Sequence, residues 1–315
     1  MKKIKVVFFG TPEFAILPLE ALIEAKDIDV VAVVTQDDKP VGRKQELTAP
    51  PVKNAALEQD IPVLQPTTLR KNPQILELLE GLEADFFAVV AYGKILPKEV
   101  LDIPKYGCIN LHGSLLPQYR GASPVEEALL QGDAQTGVSF IQMNEELDAG
   151  DILVVQRQAV DPEDTSETLR RKLSLLGAAL FPQLLRDVVD EVIQPIPQNS
   201  QNATFCHKIT KQDGFIDIYK ERAEDIVNKI RAYTPWPSCF MIVKDKRLKI
   251  IKAKAAESLT QVEPGAVIEG TFAGEYSIGL QTIEGTLWLQ TVQLEGKKPT
   301  LIQDFMRGNK SFFAV

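Results

Sequence analysis

Over its first two hundred residues the chain alternates between short apolar runs and stretches with helical spacing, and this constrains the fold more than any other feature. IKVVFFG (Ile4 to Gly10) is a continuous apolar run stopped by glycine, as in a parallel strand buried on both faces. Pro12 suits the first turn of a helix running to about Lys26, with Phe14, Leu17, Leu19 and Leu22 available for one face. A second strand ends at Thr35, and the polar stretch from Gln36 to Pro51 reads as a long loop. Further strands are expected over Ala84 to Gly93, Gly107 to Ser114, Thr136 to Met143 and Asp151 to Val160. Helices are expected near Lys98 to Leu101, before Gly132, and from Thr165 to about Asp190. Such alternation predicts an α/β domain with a Rossmann-like parallel sheet covered by helices, and ligands of such sheets lie beyond the carboxyl ends of the strands.

The pattern changes after VIQPIPQNS (Val192 to Ser200), which reads as a linker because two prolines interrupt a polar run. One amphipathic helix from Ala223 stops at TPWP, and five short strand candidates with glycine turns follow, closed by a helix near Leu301 to Arg307. Five strands in about 70 residues suit a small OB-like β-barrel. The expected division is residues 1–191, a linker over 192–208, and a second domain over 209–315. With 44% apolar and 25% charged residues, disordered and fibrous classes drop out. No apolar run approaches the roughly 18 residues of a membrane helix, and the apolar stretch at the N-terminus is too short for a signal peptide. A cytoplasmic protein without membrane association, acting as a monomer, is the expectation.

Charge is unevenly distributed. The net charge is −8, yet residues 205–315 hold 16 basic and 13 acidic side chains, against 19 and 30 in the remainder. Much of the basic charge lies in KDKRLKIIKAK (Lys244 to Lys254), which is either a solvated strand face or a surface for a polyanion. Three scattered cysteines and two histidines indicate neither a disulfide framework nor a metal site. GTPEFA after the first strand lacks the glycines of a dinucleotide fingerprint, and no P-loop occurs.

The densest cluster of chemistry is NLHGSLLP (Asn110 to Pro117). Residues two apart on a strand point the same way, so Asn110 and His112 share one face at a strand end. An amide donor beside an imidazole suits acyl transfer, the first stabilising an oxyanion and the second handling a proton. Asp148, in LDAGD, is a third polar candidate. Taken singly, each has an ordinary alternative: a strand-end histidine, and an aspartate in a tight turn. Cys108 shows no partner base.

FFGTPEFA, VVAYGKILP, INLHGSLLPQYRGASP, TGVSFIQM and LDAGD occur in an order and spacing that resemble the folate-dependent formyltransferases, from about Ile4 to Phe313. The resemblance implies that Asn110, His112 and Asp148 are catalytic. It implies a 10-formyltetrahydrofolate site lined by Lys94, Ile95 and Leu96, by Ser114, Leu115, Leu116 and Pro117, and by Asn144, Glu145, Glu146 and Leu147. Within the family, the Gln36 to Pro51 loop with Arg43 and the basic C-terminal strand resemble the members that formylate the amine of initiator methionyl-tRNA. Arg43, Lys246, Arg247 and Lys249 are then the expected tRNA contacts. Glu46 and Ile218 depart from the usual pattern, which has more basic charge after the arginine and often a tryptophan at the second position. A sugar-nucleotide formyltransferase, and a folate- or RNA-binding module without turnover, are the competing readings.

Overall fold

The computed structural model describes residues 3–42, 45–258 and 262–313. In chain order the first elements are β1 (Ile4–Gly10), α1 (Ile16–Glu24), β2 (Ile28–Val34), β3 (Lys39–Val41), β4 (Glu46–Thr48), α2 (Pro51–Leu57), β5 (Val63–Leu64) and α3 (Pro73–Gly81). Next come β6 (Phe86–Val90), α4 (Lys98–Leu101), β7 (Cys108–His112), β8 (Arg120–Gly121), α5 (Pro124–Leu130), β9 (Gln135–Gln142), β10 (Asp151–Ala159), α6 (Ser166–Val189) and β11 (Phe205–Cys206). The chain closes with α7 (Ala223–Ala232), β12 (Cys239–Val243), β13 (Lys246–Ala256), β14 (Val267–Phe272), β15 (Glu275–Gln281), β16 (Thr286–Leu294), β17 (Thr300–Leu301) and α8 (Ile302–Gly308). They group into two compact units. One comprises Met1–Pro124, Gln135–Ala159 and Arg170–His207; the other comprises Val125–Ala134, Val160–Leu169 and Lys208–Val315.

The first unit is built on a seven-stranded sheet of order β10-β9-β7-β6-β1-β2-β5. The neighbours β7-β6, β6-β1, β1-β2 and β2-β5 are parallel, as the alternating pattern predicts. The sheet is nevertheless mixed: β9 runs antiparallel to β7, and β10 antiparallel to β9. The short connection between β9 and β10 accounts for the second of these, since eight residues can reverse the chain but cannot cross over to a parallel position. Alternate residues of the central strands serve opposite faces. Val7, Phe9, Val34, Phe87, Val89 and Cys108 pack with Ile75 and Leu79 of α3 and Val100 of α4. On the sheet around β7 and β9, Phe140 meets Phe181 of α6 edge-on at 4.9 Å, and Gly177 of α6 lies against Leu111. Coverage of both faces is why Val6, Val7, Phe8 and Phe9 are all fully buried, each contributing roughly 2 kcal/mol of transfer free energy.

Two features of this unit depart from the sequence reading. The polar stretch expected as one loop contains the hairpin β3-β4 and ends at the first turn of α2. No alternation marks it, because all of Glu46–Thr48 is exposed. The helices α2 and α3 were not anticipated either. Both begin at proline, and each is short, with only two buried apolar residues.

The second unit contains an antiparallel sheet of order β12-β13-β16-β15-β14, with β17 paired to β16. The five expected strands are all present, and among the described residues no ladder joins β12 to β14, so the sheet is open at that seam. Lys244 and Asp245 form the two-residue β12-β13 turn, both with positive φ, as a primed hairpin turn demands. Helix α7 buries Ala223, Ile226 and Ile230, the stripe predicted by its spacing. Phe272 stacks on Trp288 at 5.5 Å within the sheet. Among the described residues, no helix is long and apolar enough to cross a membrane.

Candidate active site

Strand β7 delivers Asn110 and His112 to the carboxyl end of the parallel strands, two residues apart and on the same face. The turn after β9 brings Asp148 to both of them. Asn110 Nδ2 lies 3.5 Å from Asp148 Oδ1, and His112 Nδ1 lies 3.7 Å from the same oxygen. The other carboxylate oxygen accepts a 2.8 Å hydrogen bond from the backbone N–H of Gly121. Residues far apart in sequence thus converge on one carboxylate, whose side chain is 13% exposed beside a histidine that is 6% exposed.

The histidine ring is oriented by its other nitrogen. His112 Nε2 is 3.0 Å from the carbonyl oxygen of Tyr119. A carbonyl only accepts, so Nε2 carries hydrogen, and proton exchange on this ring takes place at Nδ1, the nitrogen facing Asp148. Asp148 itself has φ +50, a left-handed conformation that aspartate adopts more readily than most residues. The following turn is tight, for a Cβ on Gly150 would overlap the carbonyl oxygen of Gln142.

The expected folate-lining residues differ in exposure. Ile95 and Leu147 are large apolar side chains left 80% and 63% exposed, and Asn144, Glu145 and Glu146 are exposed beside Leu147. Leu96 and Leu116 are buried, and Leu96 belongs to the core under the sheet. Ser114 is buried with its hydroxyl donating to Gln118 O, and a cis peptide bond joins Leu116 to Pro117. Leu115 and Pro117 are half-buried. The Lys94 ammonium is held by the carbonyls of Pro66 and Thr67, at 2.8 and 3.1 Å.

Among the expected tRNA contacts, Arg43 lies outside the described residues. Lys246 is exposed at the start of β13 and Lys249 is half-buried. The Arg247 guanidinium sits over the Phe240 ring at 3.5 Å. Two further lysines of the basic strand, Lys252 and Lys254, both pair with Glu163, whose carboxyl they hold below its ordinary range by direct hydrogen bonds.

Sequence reasoning missed the groups that support the site. Ser139 Oγ donates to Ser114 O and accepts from Leu116 N, tying the turn after His112 to β9. Residues 192–207, within the 192–208 stretch expected as a linker, belong to the first unit and bond closely within it. Strand β11 pairs with β8, Thr204 Oγ1 accepts from Tyr119 N, and Gln198 bonds to Arg120 and to the Asp148 turn. Polar side chains in an aperiodic segment carried no signal for this. Cys108 has no catalytic character: burial pushes its thiol far above the ordinary range, and its sulfur faces Leu101 O.

Comparison with known proteins places the chain in a family. Residues 2–185 match the formyl transferase family and residues 208–310 match the formyl transferase C-terminal domain. The chain is 44% identical over 305 residues to the methionyl-tRNA formyltransferase of Listeria monocytogenes, covering 96% of this chain and 95% of that one. It is 41% identical over 307 residues to that of Hydrogenovibrio crunogenus, covering 98% and 96%. Among solved structures, the N-formyltransferase of Helicobacter canadensis, in complex with folinic acid and dTDP-3-aminofucose, superposes with a TM-score of 0.65 over 92% of this chain and 99% of its own. At 20% identity that likeness speaks for the fold. The agreement extends through both units of the sequence, and the chain belongs to the methionyl-tRNA formyltransferase family of formyl transferases.

Proposed function

We propose that the chain transfers the formyl group of 10-formyltetrahydrofolate to the free amine of initiator methionyl-tRNA, with Asn110, His112 and Asp148 as the catalytic residues. The observation that carries this reading is the meeting of all three side chains at the carboxyl end of the sheet, in a chain related over nearly its whole length to enzymes named for this reaction.

The reduced folate fits the residues present. Ile95 and Leu147, exposed in the loops after β6 and β9, offer apolar cover for a flat ring system beside the polar triad. When bound, it supplies an activated formyl carbon. Attack by the methionyl amine places negative charge on the formyl oxygen and positive charge on the incoming nitrogen. Asn110 Nδ2 donates to that oxygen, and His112 donates from Nδ1 when protonated. Asp148 takes the proton released by the amine and returns it toward the leaving nitrogen. No step calls for an enzyme nucleophile.

Residues 1–191 carry the folate and the chemistry in this reading, and residues 209–315 grip tRNA through Lys246, Arg247 and Lys249, with Arg43 as a further contact to the acceptor end. Lysine and arginine contacts to phosphate give sequence-independent affinity. The protein works in the cytoplasm as a monomer. The test is transfer of labelled formyl from the folate to charged initiator tRNA, with a dTDP-amino sugar as competing acceptor. Efficiency on methionyl-tRNA should exceed that on the sugar by at least about a hundredfold. Comparable or reversed efficiencies would reject the assignment of acceptor.

A further inference from the structure

Gln198 lies in a proline-rich stretch with no strand or helix, yet its side-chain amide uses every hydrogen-bonding position it has. Nε2 donates to the carbonyl oxygens of Asp148 at 2.8 Å and Gly150 at 2.7 Å. Oε1 accepts from Arg120 Nε at 3.1 Å and Arg120 Nη2 at 2.7 Å. An amide has two N–H donors and two oxygen lone pairs, so four partners saturate it. Arg120 is only 5% exposed, and the next residue, Gly121, donates its backbone N–H to Asp148 Oδ2. The contacts close a circuit. Asp148 is held through its carboxylate by Gly121 and through its carbonyl by Gln198, and Arg120 joins the two holders.

That circuit acts where the backbone needs it. Asp148 occupies the left-handed region, in which an L-residue is sterically disfavoured, and the carbonyls on either side of Ala149 are the atoms Gln198 clamps. A rotation of this peptide turn would swing the carboxylate away from Asn110 and His112, which contact the same oxygen at 3.5 and 3.7 Å. Arg120 is itself fixed. Its N–H donates to Thr204 O at 2.8 Å, and a Cβ on Gly121 would overlap the carbonyl of Cys206, so only glycine lets β8 and β11 approach this closely.

We infer that Gln198, braced by Arg120, is a positioning residue that sets the Asp148 carboxylate for proton transfer, an inference that rests on the role proposed for Asp148. Gln198 touches neither Asn110 nor His112 and acts through Asp148. Shape alone does not perform this task, because the two N–H donors are needed together.

The experiment is a double-mutant cycle in the full-length protein, read by single-turnover formyl transfer at saturating folate and methionyl-tRNA. Gln198→Met keeps length and volume but removes both donors and the acceptor of Arg120, and Gln198→Asn keeps the amide while withdrawing it by one methylene. Each should lower the transfer rate by about 10 to 100-fold, the scale of a misplaced catalytic group, with folate binding within about threefold of wild type. In an Asp148→Asn background, Gln198→Met should cost less than about threefold more, since the group it positions has already lost its function. A full additional loss in that background would overturn the inference and make Gln198 a general structural residue. Wild-type rates for Gln198→Met and Gln198→Asn, with Asp148→Asn impaired, would also overturn it. Unimpaired transfer by Asp148→Asn alone would instead remove the catalytic reading on which it rests. Should Gln198→Met fail to fold, the same cycle run with Gln198→Asn decides by the same criteria.

Discussion

Replacing Asp148 by asparagine removes a proton acceptor while changing almost nothing else. The amide oxygen can still accept the 2.8 Å bond from Gly121 N–H, and asparagine tolerates the left-handed φ of +50 as well as aspartate does. What the fold loses is charge assistance in that bond, roughly 1.5–3 kcal/mol falling to about 1 kcal/mol. A drop of about 0.5–2 kcal/mol is small beside a typical stability of about 5–15 kcal/mol, so the variant stays folded. The chemistry loses more. A positioned acid or base contributes about 10²- to 10⁴-fold, which raises the barrier by about 2.7–5.4 kcal/mol. Asp148→Asn should therefore transfer formyl at least about a hundredfold more slowly than wild type. His112→Ala and Asn110→Ala should each cost a similar order, with the combined variants losing much less than the product of the single losses. Single-turnover transfer, a folate-binding titration and thermal unfolding together make the measurement. If Asp148→Asn binds folate normally, melts near wild type and transfers within about tenfold of it, then Asp148 is a turn residue and the proton relay is wrong.

On the basic strand, charges already matched by a carboxylate should matter less for RNA. Lys246→Ala and Lys249→Ala should each reduce the slope of log affinity for tRNA against log salt by about 0.7 to 0.9, while Lys252→Ala, whose ammonium lies 3.2 Å from Glu163, should change it by less than half as much; salt titrations of tRNA binding check this. In the first unit, the hydrogen bonds donated by Arg186 hold Asp27 down at about 2 from its ordinary 3.8. A depressed carboxylate stabilises the fold above its ordinary value, and that contribution is lost as pH falls toward 2. The pair is largely exposed, so Asp27→Asn should cost under about 1 kcal/mol at neutral pH. Urea midpoints of variant and wild type should converge as pH falls through about 2.

The fold was legible where burial is two-sided and continuous. β6 and the Val6 to Phe9 stretch of β1 are unbroken apolar runs because helices cover both faces of the sheet, and α6 is long enough for its spacing to be unmistakable. The direction of β9 was not, since an apolar run such as TGVSFIQM has the same composition whether its neighbour is parallel or antiparallel. The short connection that follows fixes only β10, which must run antiparallel to β9. The β3-β4 hairpin was hidden for a different reason. A two-stranded ribbon with exposed side chains buries no apolar face, so no alternation is required of its sequence.

The site was legible in proportion to how locally its groups interact. Asn110 and His112 share a strand, and their spacing alone places them together. Asp148 emerged from the order of several motifs, and its contact with them depends on a turn 36 residues beyond His112. Gln198 lies another 50 residues on, among prolines, where the lack of periodicity suggested a free connection. That reading confuses two properties. Proline deprives a segment of ladder donors and keeps it out of helices and central strands, but it places no restriction on what neighbouring side chains bond. An irregular segment has no backbone register to hold it, so if it is to stay on a surface its side chains and single bridges must do the fastening. The contacts seen here are of that kind: one isolated bridge between Ile152 and Ile196, one two-residue strand, and a glutamine with all four positions filled. The glutamine and the two-residue strand end on the Asp148 turn and on the strand that supplies its backbone donor, which ties the order of this segment to the geometry of the carboxylate.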